Sequence, residues 1–163
     1  MQKHPYFAND NVNVLAHRGG TTPFENTIEA FQLALDAGAD VIETDIQATK
    51  DGIAVLFHDE SLERLTGLKK KVSDLNWLEL RELKLPERTN IPTLRQALTK
   101  FPQAKFNIDI KTALAIPDLI STVEALKAHE RVLVSSFSNR RRLLALSQFS
   151  LSLIHISEPT RPY

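Results

Sequence analysis

Five short apolar runs punctuate this chain, and helical patterns separate most of them. The runs are Val12–Ala16, Val41–Ile46, Ile53–Phe57, Lys105–Ile110 and Val132–Ser135. Runs this short, bounded by turn residues, read as buried strands. Strands that alternate with helices must be joined by crossovers, which makes a mostly parallel sheet or barrel. Five helices are predicted. Thr22-Pro23-Phe24-Glu25 forms a capping box with proline at the first helical position, opening a helix that carries Ile28, Phe31 and Leu35 and stops at Gly38. Ser73 caps a second with Leu75, Leu78 and Leu83. Thr93 caps a third with Leu94, Ala97, Leu98 and Phe101. Pro117 opens a fourth with Ile120, Val123 and Leu126, and Ser138 a fifth with Leu143, Leu144 and Leu146. Segment 60–90 shows no strand and reads as an insertion over one face, with Lys69-Lys70-Lys71 solvated.

One connection breaks the alternation. Asp51-Gly52 is a two-residue hairpin signal between the second and third runs. A turn centred there sets Asp45 opposite His58, where cross-strand side chains lie ~5 Å apart. Polar groups close the runs: His17-Arg18-Gly19-Gly20 ends the first, Glu43-x-Asp45 the second, and His58-Asp59 the third. Strand ends are where α/β folds place chemistry.

Composition excludes several classes. The formal net charge is zero, so no strong field attracts nucleic acid or acidic membrane. There is no cysteine, which removes disulfides and thiolate chemistry. No run of ~18 apolar residues suits a membrane span. Met1 to Asn11 lacks an apolar core of the secretory type, so a cytoplasmic location is expected. Residues 1–150 read as one domain. The tail 151–163, ending Ser157-Glu158-Pro159-Thr160-Arg161-Pro162-Tyr163, has a different character and reads as irregular or non-native.

Taken together, His17-Arg18-Gly19, Glu25-Asn26-Thr27, Glu43-x-Asp45, Asp51-Gly52, His58-Asp59, Asp109-Ile110-Lys111 and Ser136-Phe137 resemble the glycerophosphodiester phosphodiesterase family. The match runs in order through residues 12–150. It implies an α/β (β/α)8 barrel of TIM type, a divalent metal, and hydrolysis of glycerophosphodiesters to sn-glycerol 3-phosphate and an alcohol. Such a barrel takes ~250 residues. About five strands are visible, so the barrel is expected to be incomplete, with a short helical insertion. A catalytically impaired fragment is therefore one alternative. A lysophospholipase D acting on lipid is a second. A phospholipase C of the phosphoinositide type is a third, and it fits the Asp51-Gly52 and Asp109-x-Lys111 patterns less well.

By resemblance, His17 is the general base and His58 the general acid. The chemistry agrees, because in-line displacement at an anionic phosphodiester needs a base, an opposed acid and charge neutralisation. Imidazole titrates near neutral pH and suits both proton roles. Glu43 and Asp45 share one strand face by the two-residue period. With Asp109 they are the expected metal ligands, and hard carboxylate oxygens favour Ca2+ or Mg2+. The family usually has glutamate at position 109, so this chain is one methylene shorter there. Salt bridges to Arg18 or Lys111 are the simpler reading of all three acids. Arg18 and Lys111 are the expected phosphate contacts. Asn26 and Glu25 read as supporting or capping groups. Asp59 either orients His58 or begins a loop, and Ser136-Phe137 either lines the pocket or packs in the core. Trp77 reads as a packed helix face or a pocket cap. Segment 60–90 offers Leu68, Trp77 and Leu85 but no sustained apolar surface near the mouth, which favours soluble substrates over lipid. His4, His129, His155 and Arg140-Arg141-Arg142 read as solvated. The expected partner is a small glycerophosphodiester, with neither nucleic acid nor stable membrane insertion.

Overall fold

The computed structural model describes residues 6, 14–20 and 23–148. Four of its strands, β1 (Leu15–His17), β2 (Val41–Ala48), β4 (Lys105–Ile110) and β5 (Val132–Ser135), lie parallel in the order β1-β2-β4-β5. The other, β3 (Ala54–Leu56), runs antiparallel to the end of β2. Ile46 pairs with Leu56 on one side and with Ile110 on the other, so β3 continues the edge that β1 begins. The sheet therefore fits an incomplete barrel, with β3 as a hairpin appended to it.

The even-numbered strand residues face the helices. Ile42, Ile46, Phe106, Ile108, Ile110, Val132 and Val134 build one apolar core with α1 (Ile28–Asp36), α4 (Leu94–Lys100) and α5 (Ile116–Ala125). Phe31 of α1 meets the ring of Phe106 edge-on at 5.9 Å and that of Phe101 at 6.4 Å. Ala145 of α6 (Asn139–Gln148) completes this core. The odd-numbered positions carry the chemistry on the opposite face.

The inserted segment builds its own core. Val55, Phe57, Leu62, Val72, Leu75, Leu80, Leu85 and Ile91 form a second apolar cluster. Its elements are single turns: α2 (Glu63–Thr66), a 3-10 turn at Val72–Asp74 and α3 (Trp77–Leu80). Trp77 packs against this cluster, and Leu85 lies inside it. Trp77 is thus a packed helix face, one of its two expected roles, and the segment presents no sustained apolar mouth. Lys69 and Lys71 are exposed, as expected, and pair with Glu63 and Glu60.

Three local expectations need correction. Helix α1 begins at Ile28, not near Pro23, and Thr22 lies outside the described residues. Asn26 adopts a left-handed φ of 59°, which interrupts any helix from Pro23, and Thr27 Oγ1 caps the new start by accepting from Ala30 N at 3.2 Å. Helix α3 starts after Asn76 rather than at Ser73, with Asn76 N donating to Glu79 Oε2 at 2.9 Å. The hairpin register is shifted by one residue. Thr49 N bonds Ile53 O and Gly52 N bonds Thr49 O, leaving a three-residue loop with Gly52 at φ 82°. Ala48 then pairs with Ala54, and Phe57 N donates to Asp45 O. Phe57, not His58, is thus opposite Asp45, because adding one loop residue slips every pair by one. Thr93, Pro117 and Ser138 open α4, α5 and α6 as expected. The tail 151–163, His4 and His155 lie outside the described residues.

Candidate active site

Parallel pairing brings the strand-end groups to one rim. His17 is level with Glu43, which is level with Asn107, and Asp45 is level with Asp109. Glu43, Asp45, Asn107 and Asp109 therefore share one face across two adjacent strands. Asp45 and Asp109 are buried, whereas the His17 side chain is 65% exposed and open to a ligand.

The loop after β1 wraps this acid cluster. Arg18 N donates to both Glu43 O (3.0 Å) and Glu43 Oε2 (3.1 Å). Arg18 Nε lies 3.2 Å from Asp45 Oδ2, and its Nη1 donates to Glu25 Oε1 at 3.3 Å. Buried Asn26 donates from Nδ2 to Asp45 Oδ2 at 3.1 Å and accepts from Thr44 Oγ1 at 2.7 Å. Arg18 and Asn26 both hold positive φ, 53° and 59°, and Asn26 N donates to Arg18 O at 2.9 Å. Non-glycine residues held there cost of order 1–3 kcal/mol each, a strain that gathers at functional sites. Gly19, at φ 86°, has a different constraint. A Cβ on it would lie 2.7 Å from Ala30 Cβ and 2.9 Å from Phe31 Cδ1, so only glycine lets the loop rest on α1.

Lys111, just past β4, fills the space between the acids. Its Nζ is 2.9 Å from Asp45 Oδ1 and 2.6 Å from Asp109 Oδ2. Burial favours the neutral amine, but the bonds and charges of Asp109 and Asp45 outweigh it and raise the lysine pKa. Asp109 Oδ1 is buried and has no hydrogen-bond partner among the described residues. Glu43 is pushed up to about 7, first by burial and then by the negative charge of Asp45. Phe137, 64% exposed, sets its ring centroid 5.6 Å from Lys111 Nζ, so it borders the site rather than the core. Ser136 is buried beside it and donates to Ile110 O at 3.1 Å.

His58 arrives from the appended hairpin. Its Nδ1 is 2.7 Å from Asp59 Oδ1, so Asp59 orients the ring. Arg64 of α2 donates from Nε to Asp59 Oδ2 and from Nη2 to Glu25 Oε1, each at 2.6 Å. Burial alone would raise the Asp59 pKa; the bonds from Arg64 and His58 exceed that and lower it. A continuous chain of pairs, His58–Asp59–Arg64–Glu25–Arg18–Asp45, thus joins the hairpin to the acid cluster. Sequence reasoning missed Arg64, since no spacing rule links position 64 to position 25. It also missed Gln47, which donates to His58 O at 3.2 Å, although Gln47 follows Glu43 and Asp45 in the same two-residue period.

The family model for glycerophosphoryl diester phosphodiesterases matches residues 17–158. The chain belongs to this family. It is 45% identical over 135 residues to probable glycerophosphodiester phosphodiesterase 2 of Mycobacterium tuberculosis, covering 81% of this chain and 51% of that protein. It is 40% identical over 111 residues to lysophospholipase D GDPD1 of Mus musculus, covering 60% of this chain and 35% of that one. In structure it resembles an Oleispira antarctica phosphodiesterase in complex with the product sn-glycerol-3-phosphate, with a TM-score of 0.79, 26% identity, and coverage of 90% of this chain and 64% of that one. The chain thus spans about half the length of the first curated relative it matches. Relatives in this family are phosphoric diester hydrolases. Among the described residues, no helix is long and apolar enough to cross a membrane.

Proposed function

We propose that this site hydrolyses glycerophosphodiesters to sn-glycerol 3-phosphate and an alcohol. The observation that carries the proposal is the meeting of His17, Arg18, Glu43, Asp45, Asp109 and Lys111 at one strand-end rim, with His58 tied to it through Arg64 and Glu25.

His17 Nε2 lies 3.8 Å from Glu43 Oε2, and the ring is exposed where water can reach it. This suits His17 as the base that accepts a proton from the attacking water. His58 holds Asp59 through Nδ1, which leaves Nε2 to hand a proton to the departing alcohol oxygen. Asp59, kept ionised by Arg64, holds the ring in place for that transfer. Arg18 and Lys111 supply positive charge for the phosphate oxygens.

Glu43, Asp45 and Asp109 suit a divalent cation. Asp45 is met by both Arg18 and Lys111, but Asp109 Oδ1 is a buried acceptor without a donor, an oxygen left for a cation. Hard oxygen donors of this kind select Ca2+ or Mg2+. As they stand, no three acidic or histidine side chains among the described residues are gathered closely enough to hold an ion. Binding therefore requires the Lys111 ammonium to leave the space between Asp45 and Asp109. Once bound, the ion would polarise the phosphate and neutralise charge that develops on its oxygens.

The test is product analysis. Incubation with glycerophosphoethanolamine should release sn-glycerol 3-phosphate, EDTA should stop the release, and Ca2+ or Mg2+ should restore it. Product release that ignores EDTA would remove the ion, and a cyclic phosphate product would replace this reaction with the phospholipase C type.

A further inference from the structure

The sheet ends in two bare edges. Among the described residues, no strand pairs with the outer side of β1 or of β5. We propose that a second copy of this chain closes the barrel, with β5 of each copy pairing in parallel with β1 of the other. The proposal stands on the sheet and its helices and does not depend on the hydrolase reading above.

Strand count is the first argument. β1, β2, β4 and β5 are parallel neighbours, half of the eight strands that close a (β/α)8 barrel. Two copies related by a twofold axis along the barrel supply all eight in one direction, and the two junctions are the same contact made twice. Closure also removes the unpaired backbone groups that an open edge presents. Only fifteen of the 163 residues follow Gln148, whereas one strand-helix-strand unit takes ~30. Four more strands must therefore come from outside these 163 residues, and a second copy carries them in the order and direction needed.

Surface chemistry is the second argument. A helix that follows a parallel strand crosses right-handedly over the sheet toward the next strand. Helix α6 follows β5, and Ala145 is its one buried residue. Its Leu143, Leu144 and Leu146 are 59%, 38% and 43% exposed. At the other edge, Val14, Leu33, Ala34, Ala37 and Ala39 line a cavity of about 340 Å3. Val14 and Leu33 are more than half exposed. One edge thus projects leucines, and the other is recessed and lined largely by alanines, as a junction of β5 and α6 with β1 and α1 requires. Apolar surface gathered in this way marks an interaction site, unlike single scattered residues. Because the eight strands run one way, both acid clusters open at the same mouth, one on each half of it.

The experiment is analytical ultracentrifugation of the 163-residue chain, which should sediment with the mass of two copies. Leu143→Glu combined with Leu146→Glu should yield single folded chains, as should Leu33→Arg combined with Ala37→Arg. Each pair weakens association ~hundredfold or more, since it buries unpaired charge at both junctions. All four positions are exposed, so the circular dichroism spectrum should not change. Mixing the two variants discriminates further. In the mixed pair, glutamates meet arginines at one junction and the other junction is unaltered, so the two-copy mass should return. A single-chain mass for the unmodified protein, aggregates of no defined size, or no recovery on mixing overturns the proposal. So does an unmodified chain that stays single until a separate polypeptide with four further strands is added, because that polypeptide is then the occupant.

Discussion

The parallel sheet and the inserted segment bury apolar cores by different means. The sheet packs long strands against helices of seven to ten residues, with Phe31, Phe101 and Phe106 interlocked at its centre. The insertion between β3 and α4 holds single turns around Leu62, Leu80 and Leu85, pinned by short-range polar bonds such as Asn76 N to Glu79 Oε2. The sheet supplies the fixed charges, Glu43, Asp45, Asp109 and Lys111. The hairpin and insertion supply His58, Asp59 and Arg64. The buried acid cluster and the His58–Asp59 pair thus belong to different cores, and Arg64 joins them through Glu25.

The sharpest way to probe that division is to remove one histidine from each side. His17→Ala and His58→Ala should each reduce kcat by ~10²–10⁴ with little change in Tm. A wild-type rate in either variant would strip that residue of its role. Core truncation comes next. Phe106→Ala should destabilise the chain by ~3–5 kcal/mol, because it opens a cavity beneath Phe31 and the sheet. Leu80→Ala should cost ~2–5 kcal/mol, with the loss of amide protection concentrated in residues 55–91. Uniform loss across the sheet in Leu80→Ala would mean that the two cores unfold as one.

The acid cluster gives a pH test of the sheet side. Glu43 has its folded pKa raised from 4.5 to about 7. Between those values the folded chain holds a proton that the unfolded chain has released. Stability from this group is therefore complete below about pH 4.5 and is lost as pH rises to about 7. The expected loss in metal-free protein is about 3 kcal/mol by chemical denaturation. Added Ca2+ or Mg2+ should recover more stability at pH 8 than at pH 5. The smallest effect concerns the seam. Arg64→Gln should lower kcat ~tenfold and displace the acidic limb of the pH–rate profile, since Asp59 loses the donor that keeps it ionised. Tm should barely move, as Arg64 is half exposed.

Much of the sheet could be read directly from residue order. The end of each parallel run carries the group that the structure places at the rim, because a two-residue period and level pairing leave little freedom. The pairing of Asp45 with Phe57 was not legible, because Asp51-Gly52 fits a two-residue turn as well as the three-residue loop that Thr49 and Ile53 close. The start of α1 was hidden for another reason. Asn26 turns left-handed to reach Asp45, nineteen residues away, and that distant bond overrides a good local capping signal at Pro23. The insertion's own core, with Trp77 packed against it and Leu85 inside it, was not legible, because an apolar count along the chain does not reveal which residues meet. Arg64 belongs to the same class, as an exposed arginine whose importance lies wholly in partners remote in sequence.

The contact between Gly19 and helix α1 carries a mechanical consequence. With 2.7 Å separating Ala30 Cβ from the place a Gly19 Cβ would take, the helix acts as a stop that fixes the height of the loop above the sheet. His17 and Arg18 inherit that height. Added bulk at Ala30, hidden from solvent, would lift the loop away from Glu43 and Asp45. A constraint on the rim would then reach into a helix that contributes no group to it.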